Sequence, residues 1–178
     1  MALGTLSRGI ALAAQGQHAA GIAQMRQGLA AVQATGTTIG RPDYLAQLAK
    51  AYGQGGQDEE SVSLLAEALA IVGTTGARAY ESELYRLRGE LLLQQTMPEV
   101  EQAEVCFQHA FDVAHRQQAK SLELRGAMSL ACLWQQQGKR QEAYDLLAPV
   151  YGWFTEGFDT ADLTDAKALL DELLESRG

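Results

Sequence analysis

The chain has 178 residues, 47% of them hydrophobic and three of them proline, with a formal net charge of −8 and a pI near 4.8. That is enough apolar material for the core of one domain or a short solenoid, and the abundance of Ala, Leu, Gln and Glu points to helix. The acidic balance, with no basic run to offset it, argues against a nucleic acid or an anionic membrane surface as partner, and no apolar stretch is long enough to predict a transmembrane helix.

Residues 1–15 read as a helix striped with Leu3, Leu6, Ile10 and Leu12. They lack the basic leader of a secretion signal. Nothing before this stripe shields it, which predicts an apolar front edge, self-association through that N-terminal edge, and a piece of a longer solenoid. A second helix follows in QGQHAAGIAQMRQGL (15–29), then a polar connector, TGTTIG (35–40). RPDYLAQLAKAYGQGG opens on Pro42, which suits a first helical turn, and places Tyr44, Leu45, Leu48 and Tyr52 at helical spacing. GGQDEESVSLLAEAL (55–69) reads as its partner helix, and VGTTGA (72–77) as a second connector. Neither Gly-Thr-Thr core is followed by Gly-Lys-Ser/Thr, so no phosphate loop is predicted.

ESELYRLRGELLLQQ carries Tyr85, Gly89 and Leu92 on one face, and VEQAEVCFQHAF (100–111) follows it. SLELRGAMSLACLWQQQG then carries Ala127, Leu130, Ala131 and Trp134, and QGKRQEAYDLLAPVY (137–151) completes the series. Gly138 predicts a helix end at positive φ, and Pro149 predicts that the last of these helices kinks or stops near Ala148. The tail holds Thr160 or Asp159 as an N-cap before the stripe Leu163, Ala166, Leu169, Leu170 and Leu173, with Trp153, Phe154 and Phe158 expected to pack beneath it.

The partner helices align on a small residue: Gly21, Ser61, Ala103 and Ala143, about 40 residues apart. Four residues on stand Met25, Leu65, Phe107 and Leu147, and seven on stand Gly28, Ala68, Ala110 and Val150. An i, i+4, i+7 series is one helix face, and small residues at its start let two helix axes approach closely.

These positions resemble the tetratricopeptide repeat. The second unit supplies Leu45, Leu48, Ala49, Tyr52, Ser61, Leu65 and Ala68 in the places of that pattern, the fourth supplies Ala127, Leu130, Ala131, Trp134, Ala143, Leu147 and Val150, and the first is the most degenerate, with Gly9, Leu12, Gly21, Met25 and Gly28. The period departs from the family's 34, and the family's closing proline is absent from its usual place. The resemblance implies an all-α fold: a right-handed superhelix of about four TPR-like helical hairpins plus a C-terminal capping helix, in one domain over 1–178. Its units are 1–36, 41–74, 78–117 and 119–152, with the cap at 160–176. LYRLRGELLL (84–93) and the stretch from Ala119 to Leu163 also resemble the C-terminal helical repeats of large bacterial signalling ATPases, some fused to nucleotide cyclases. That likeness implies a cytoplasmic regulatory arm in signal transduction.

No catalytic arrangement is legible: no nucleophile motif, no dinucleotide fingerprint, no enzyme and no cofactor are predicted. Cys106 and His109 lie three apart on one helix, but two ligands do not make a metal site. Cys106 and Cys132 make no disulfide framework. The carboxylates Asp58, Glu59 and Glu60, and Glu99, Glu101 and Glu104, fall in first turns, where the helix dipole favours them.

The repeat resemblance places the first helix of each unit on an inner, concave wall. Its partner-facing positions are Asp43, Gln47, Lys50 and Gln54; Arg86, Glu90 and Gln94; and Arg125, Met128, Ser129, Cys132, Gln135 and Gln136. The expected ligand is a protein or peptide. The two-carboxylate clamp of some family members needs Lys with Asn, and the chain contains no Asn. A small-molecule effector in a concave-face pocket is the alternative.

Overall fold

A computed structural model describes residues 2–36, 40–76 and 78–175. Among them the regular structure is helical throughout: α1 (Ala2–Ala14), α2 (His18–Ala34), α3 (Arg41–Gln54), α4 (Asp58–Thr75), a 3₁₀ turn (Arg78–Tyr80), α5 (Glu81–Gln94), α6 (Val100–Arg116), α7 (Lys120–Gln136), α8 (Arg140–Tyr151) and α9 (Ala161–Glu175). The chain divides into two compact units, residues 1–98 and 99–178. The division falls within 78–117, the stretch read from sequence as the third hairpin: α5 is built into the first unit, against α4 and α3, and α6 into the second, against α7.

The turns explain why helices stop where they do. Gly138 has φ +80°, its N–H donates to the Gln135 carbonyl, and the Lys139 N–H reaches back to the Trp134 carbonyl at 2.9 Å. This pair of bonds is the Schellman C-cap, which needs a left-handed residue. Gly16 and Gly56 repeat it. So does the α6–α7 turn, where Gln118 takes φ 55° and the Ala119 N–H reaches the Ala114 carbonyl. Because the left-handed residue there is not glycine, the sequence shows a longer connector where the chain makes another three-residue turn. Gln118→Gly removes the Cβ strain, and we expect it to stabilise the second unit by about 0.5–1 kcal/mol in urea unfolding.

The second Gly-Thr-Thr segment is also more helical than its composition indicates. α4 continues through Gly73, Thr74 and Thr75 and is capped by Gly76 at φ 68°. The hydroxyl of Thr74 donates to the Ala70 carbonyl at 3.0 Å and that of Thr75 to Ile71 at 2.7 Å, so both threonines bond within the helix. In the first such segment, Thr37–Ile39 lie outside the described residues.

The small-residue sites hold their predicted place. Gly21 is buried, Ser61, Ala103 and Ala143 are fully buried, and the large residues four positions on are at most 2% exposed. In each case the N–H of the small residue bonds the carbonyl of the residue preceding its helix: Gly21 to Gln17, Ser61 to Gln57, Ala103 to Glu99, Ala143 to Lys139. Ser61 also donates its hydroxyl to the Ala49 carbonyl of the facing helix at 2.6 Å, so a buried polar group is satisfied. The bond itself is common to helix starts, since Tyr44 makes it to Gly40, Thr164 to Thr160 and Glu123 to Ala119. At this place in α7 a carboxylate is buried.

At the α1–α2 crossing the backbones approach closely. A Cβ on Gly21 would stand 2.8 Å from the Gly9 carbonyl oxygen and from the Ala13 nitrogen, and one on Gly9 would meet the Met25 nitrogen at 2.8 Å. This pairing covers most of the front stripe. Leu6 is 2% exposed and Ile10 and Leu12 are half-buried, leaving Leu3 as the exposed leucine of α1.

In the second unit α7 packs on α6, α8 and α9. α8 runs through Pro149 to Tyr151 rather than stopping near Ala148. The proline removes one donor in the last turn, where it and Asp145 face solvent. Of the three tail aromatics, Phe154 alone packs on the core. Trp153 and Phe158 are 58% and 49% exposed, Trp153 meeting Phe154 edge-on and Phe158 tilting onto Tyr151. Thr160 stands before α9, with its hydroxyl donating back to the Gly157 carbonyl.

Candidate functional site

In the first unit, the side formed by α1, α3 and α5 brings together the positions read from sequence on α3 and α5. Between α1 and α3 lies a crevice of about 300 Å³. Ile10, Ala13, Ala14, Met25 and Ala51 form its apolar wall, with Gln47, Lys50 and Gln54 at its polar rim. α1 and α3 come close here because α1 carries alanines on the facing surface.

Next to the crevice is a charged group spanning α3 and α5. The Arg86 guanidinium is 12% exposed and donates through Nε and Nη2 to Glu83 at 2.9 and 2.7 Å, and through Nη1 to Glu90. Burial works against its charge, but the two carboxylates outweigh burial and hold the guanidinium more firmly protonated than usual. Asp43 faces this group with the opposite outcome. Burial raises its carboxyl above the ordinary value, a hydrogen bond from Gln47 partly offsets this, and the charge of Glu83 raises it further. Arg86 is committed to Glu83 and Glu90, and among the described residues Asp43 forms no ion pair. Gln94 is exposed at the far end of α5.

A larger cleft, about 660 Å³, opens on the other side of the same unit, between α2, α3 and α4. Its floor is Leu29, Leu45, Leu48 and Leu64. An Arg41–Glu67 ion pair of 2.5 Å and an Arg26 hydrogen bond to the Tyr52 hydroxyl of 3.2 Å lie along it. Sequence reading missed this cleft. Its walls come from three helices whose apolar faces all look like ordinary core, and only the gap between them distinguishes it.

Of the six positions read on α7, Arg125, Cys132 and Gln135 meet the chain's own last helix. Arg125 donates through Nε to Asp162 at 2.7 Å and Gln135 to Glu172 at 3.2 Å, a constant offset that sets α9 parallel to α7. Cys132 is exposed at the surface, but neighbouring atoms desolvate its thiol in part, and this together with the Glu172 charge raises it. Met128 packs on the core that α9 closes, Ser129 is half-buried and Gln136 is exposed.

Two further carboxylates in this unit have specific roles. Glu104 lies past the first turn of α6, where Glu101 is the acidic residue; it accepts from the Trp134 indole at 2.7 Å and from Gln137 at 3.2 Å, and pairs with Lys139 at 3.6 Å. The indole bond is the main reason its carboxyl lies below the ordinary value. Glu123 is held by Lys120 at 2.7 Å and His115 Nδ1 at 2.9 Å, and the Lys120 ammonium also sits 5.6 Å from the Trp153 ring centroid. Cys106 is buried and Cys132 exposed, and among the described residues no group of three or more His, Cys, Asp or Glu side chains could hold a metal ion.

Helices paired through recurring small-residue crossings, capped by the same tight turn, define an all-α protein of TPR-like repeats. No protein-family model and no curated protein matches the sequence. Among solved structures, the chain resembles a Podosopora anserina kinesin light chain candidate with nearly identical TPR-like repeats. The TM-score is 0.71 at 19% identity, over 98% of this chain and 86% of that one. The crystal structure of a point variant of that protein matches with a TM-score of 0.72 at 18% identity, over 98% and 85%. No helix among the described residues is long and apolar enough to cross a membrane.

Proposed function

We propose that this chain is a non-catalytic protein-interaction scaffold that holds a partner polypeptide on the α1/α3/α5 side of its first unit. The observation that carries this reading is the crevice between α1 and α3, an apolar wall with a polar rim beside a charged group. Such a surface offers an anchor pocket and orienting polar groups, the arrangement that recurs where proteins grip a short segment. The α7 positions contribute less, because α9 engages Arg125 and Gln135.

The resemblance in the sequence supports a finer reading: the chain is a regulatory arm of a cytoplasmic bacterial signalling ATPase. Extension of its reading frame into a phosphate-loop domain is the expected finding, and a frame without one counts against it. A second copy at the N-terminal edge would appear as a dimer in sedimentation that Leu3→Glu abolishes.

The scaffold reading is tested by placing a photo-crosslinking residue at Gln47, Gln94 or Ser63 in the expressed chain. Crosslinks to a polypeptide are expected from Gln47 and Gln94. Silence at both, or crosslinks from Ser63 alone, would overturn it. The second reading, an effector sensor, is favoured by the α2/α3/α4 cleft, whose volume suits a small molecule. It predicts thermal stabilisation by a metabolite, lost in Leu64→Arg.

A further inference from the structure

We infer that the segment held on the α1/α3/α5 side carries a basic residue against Asp43 and Glu83, and an aliphatic residue about three positions away in the α1–α3 crevice. This rests on the scaffold reading. Two independent features of the surface specify it.

The first is charge. Two carboxylates, Glu83 and Glu90, take up the Arg86 guanidinium, and a third, Asp43, stands beside them without it; the other cation of this face, Lys50, lines the crevice. Asp43 is half-buried, has no ion pair among the described residues and faces Glu83. A half-buried carboxylate beside another carboxylate is costly while it stays charged, and an incoming ammonium or guanidinium relieves that cost. An acidic segment would add to it. The surface therefore discriminates by repulsion as well as by attraction.

The second is shape. The crevice wall is apolar and about 300 Å³ lies within it, at the low end for a ligand site and suited to one aliphatic side chain. The amides and ammonium that also line it, Gln47, Lys50 and Gln54, supply polar groups that a bound peptide backbone can use. Gln47 belongs to both features, lining the crevice and bonding Asp43.

The spacing follows from helix geometry. From Asp43 to the middle of the crevice residues on α3 is seven or eight positions, about 11 Å along the axis at about 1.5 Å each. An extended segment covers that distance in about three residues.

The test is a library of random dodecapeptides displayed on phage and panned on the full chain. Enriched peptides should share Lys or Arg three or four positions from Leu, Ile, Met or Val. The affinity of a synthetic copy, read by fluorescence anisotropy, should fall at least tenfold in Asp43→Asn and in Ala14→Glu, a change at an exposed position on the crevice wall. Asp43→Asn should melt slightly above the parent, because it removes a charge that the fold disfavours, so its loss of binding cannot be a loss of folding. Peptides that depend on Ala14 but lack a basic residue and ignore Asp43→Asn would overturn this inference and leave the scaffold reading standing. No enrichment, or binding that neither variant affects, would overturn both.

Discussion

Gly21→Ala is expected to destabilise the first unit by about 2 kcal/mol, lowering its transition by roughly 10 °C. The new Cβ would lie 2.8 Å from the Ala13 nitrogen and from the Gly9 carbonyl oxygen, and 2.9 Å from the Ala13 Cβ. Two of these are backbone atoms of the facing helix and cannot rotate aside. α1 and α2 must separate, and separation loosens the Gly9–Met25 and Leu6–Gly28 contacts along the same seam. Alanine gains about 1 kcal/mol of helix propensity over glycine, so overpacking has to exceed that gain. Gly73→Ala isolates the propensity effect: it also lies within a helix, α4, but a Cβ there meets nothing within 4 Å. It should stabilise by up to about 1 kcal/mol. Urea titrations in which both variants shift the same way would mean that the α1–α2 axes are not in close contact.

Lys120→Ala should cost the second unit about 2 kcal/mol at neutral pH. Removing one partner of a buried pair leaves an uncompensated charge, which in a fully buried site costs about 3–5 kcal/mol. Lys120 is 26% exposed and His115 stays beside the carboxylate, so the loss is smaller. Its pH dependence is distinctive. In the parent, burial alone would raise the Glu123 carboxyl, but hydrogen bonds from Lys120 and His115 outweigh burial and hold it below the ordinary 4.5. The stability this supplies is present above the unfolded value and is lost as pH falls through the lower folded value. Without Lys120, burial dominates, the folded value rises above the unfolded one, and protonation favours the fold. The difference in stability between variant and parent therefore narrows as pH falls. Adding Glu123→Ala should restore most of the loss, because it removes the buried carboxylate that the first substitution leaves short of a partner. A double variant as unstable as Lys120→Ala would show that the cost does not lie in the unpaired carboxylate.

The fold was legible where local chemistry and packing coincide. Gly21, Ser61, Ala103 and Ala143 mark the crossings because only small residues fit there, and the residues four and seven positions on are buried with them. Legibility failed where one position departs from the residue type that its geometry normally selects. Gln118 makes a glycine's turn, and Glu123 puts a carboxylate in a buried position. Trp153 and Phe158 were read as core because aromatics usually are, yet the helix they precede covers Phe154 instead. On α3 and α5 the repeat resemblance picked out positions of which Asp43, Arg86 and Glu90 belong to one charged group. It could not show that Arg86 is already engaged, that Asp43 is not, or that a cleft opens between α2 and α4.

Charge is also unevenly distributed. The first unit has seven Lys and Arg against eight Asp and Glu, and the second has seven against fourteen, so nearly all of the net charge lies in the second. Glu123 is the one acid of that excess that is buried. Its position has a consequence for how the chain finds its own partners. Helices cut to a common pattern are at risk of docking in one another's places during folding or between molecules. Lys120 lies on α7 and travels with Glu123, but His115 lies on α6, so an exchanged pairing leaves the buried carboxylate without its imidazole partner. A buried acid whose second partner stands on one particular neighbour thereby acts as an address, and disfavours look-alike segments trading seats.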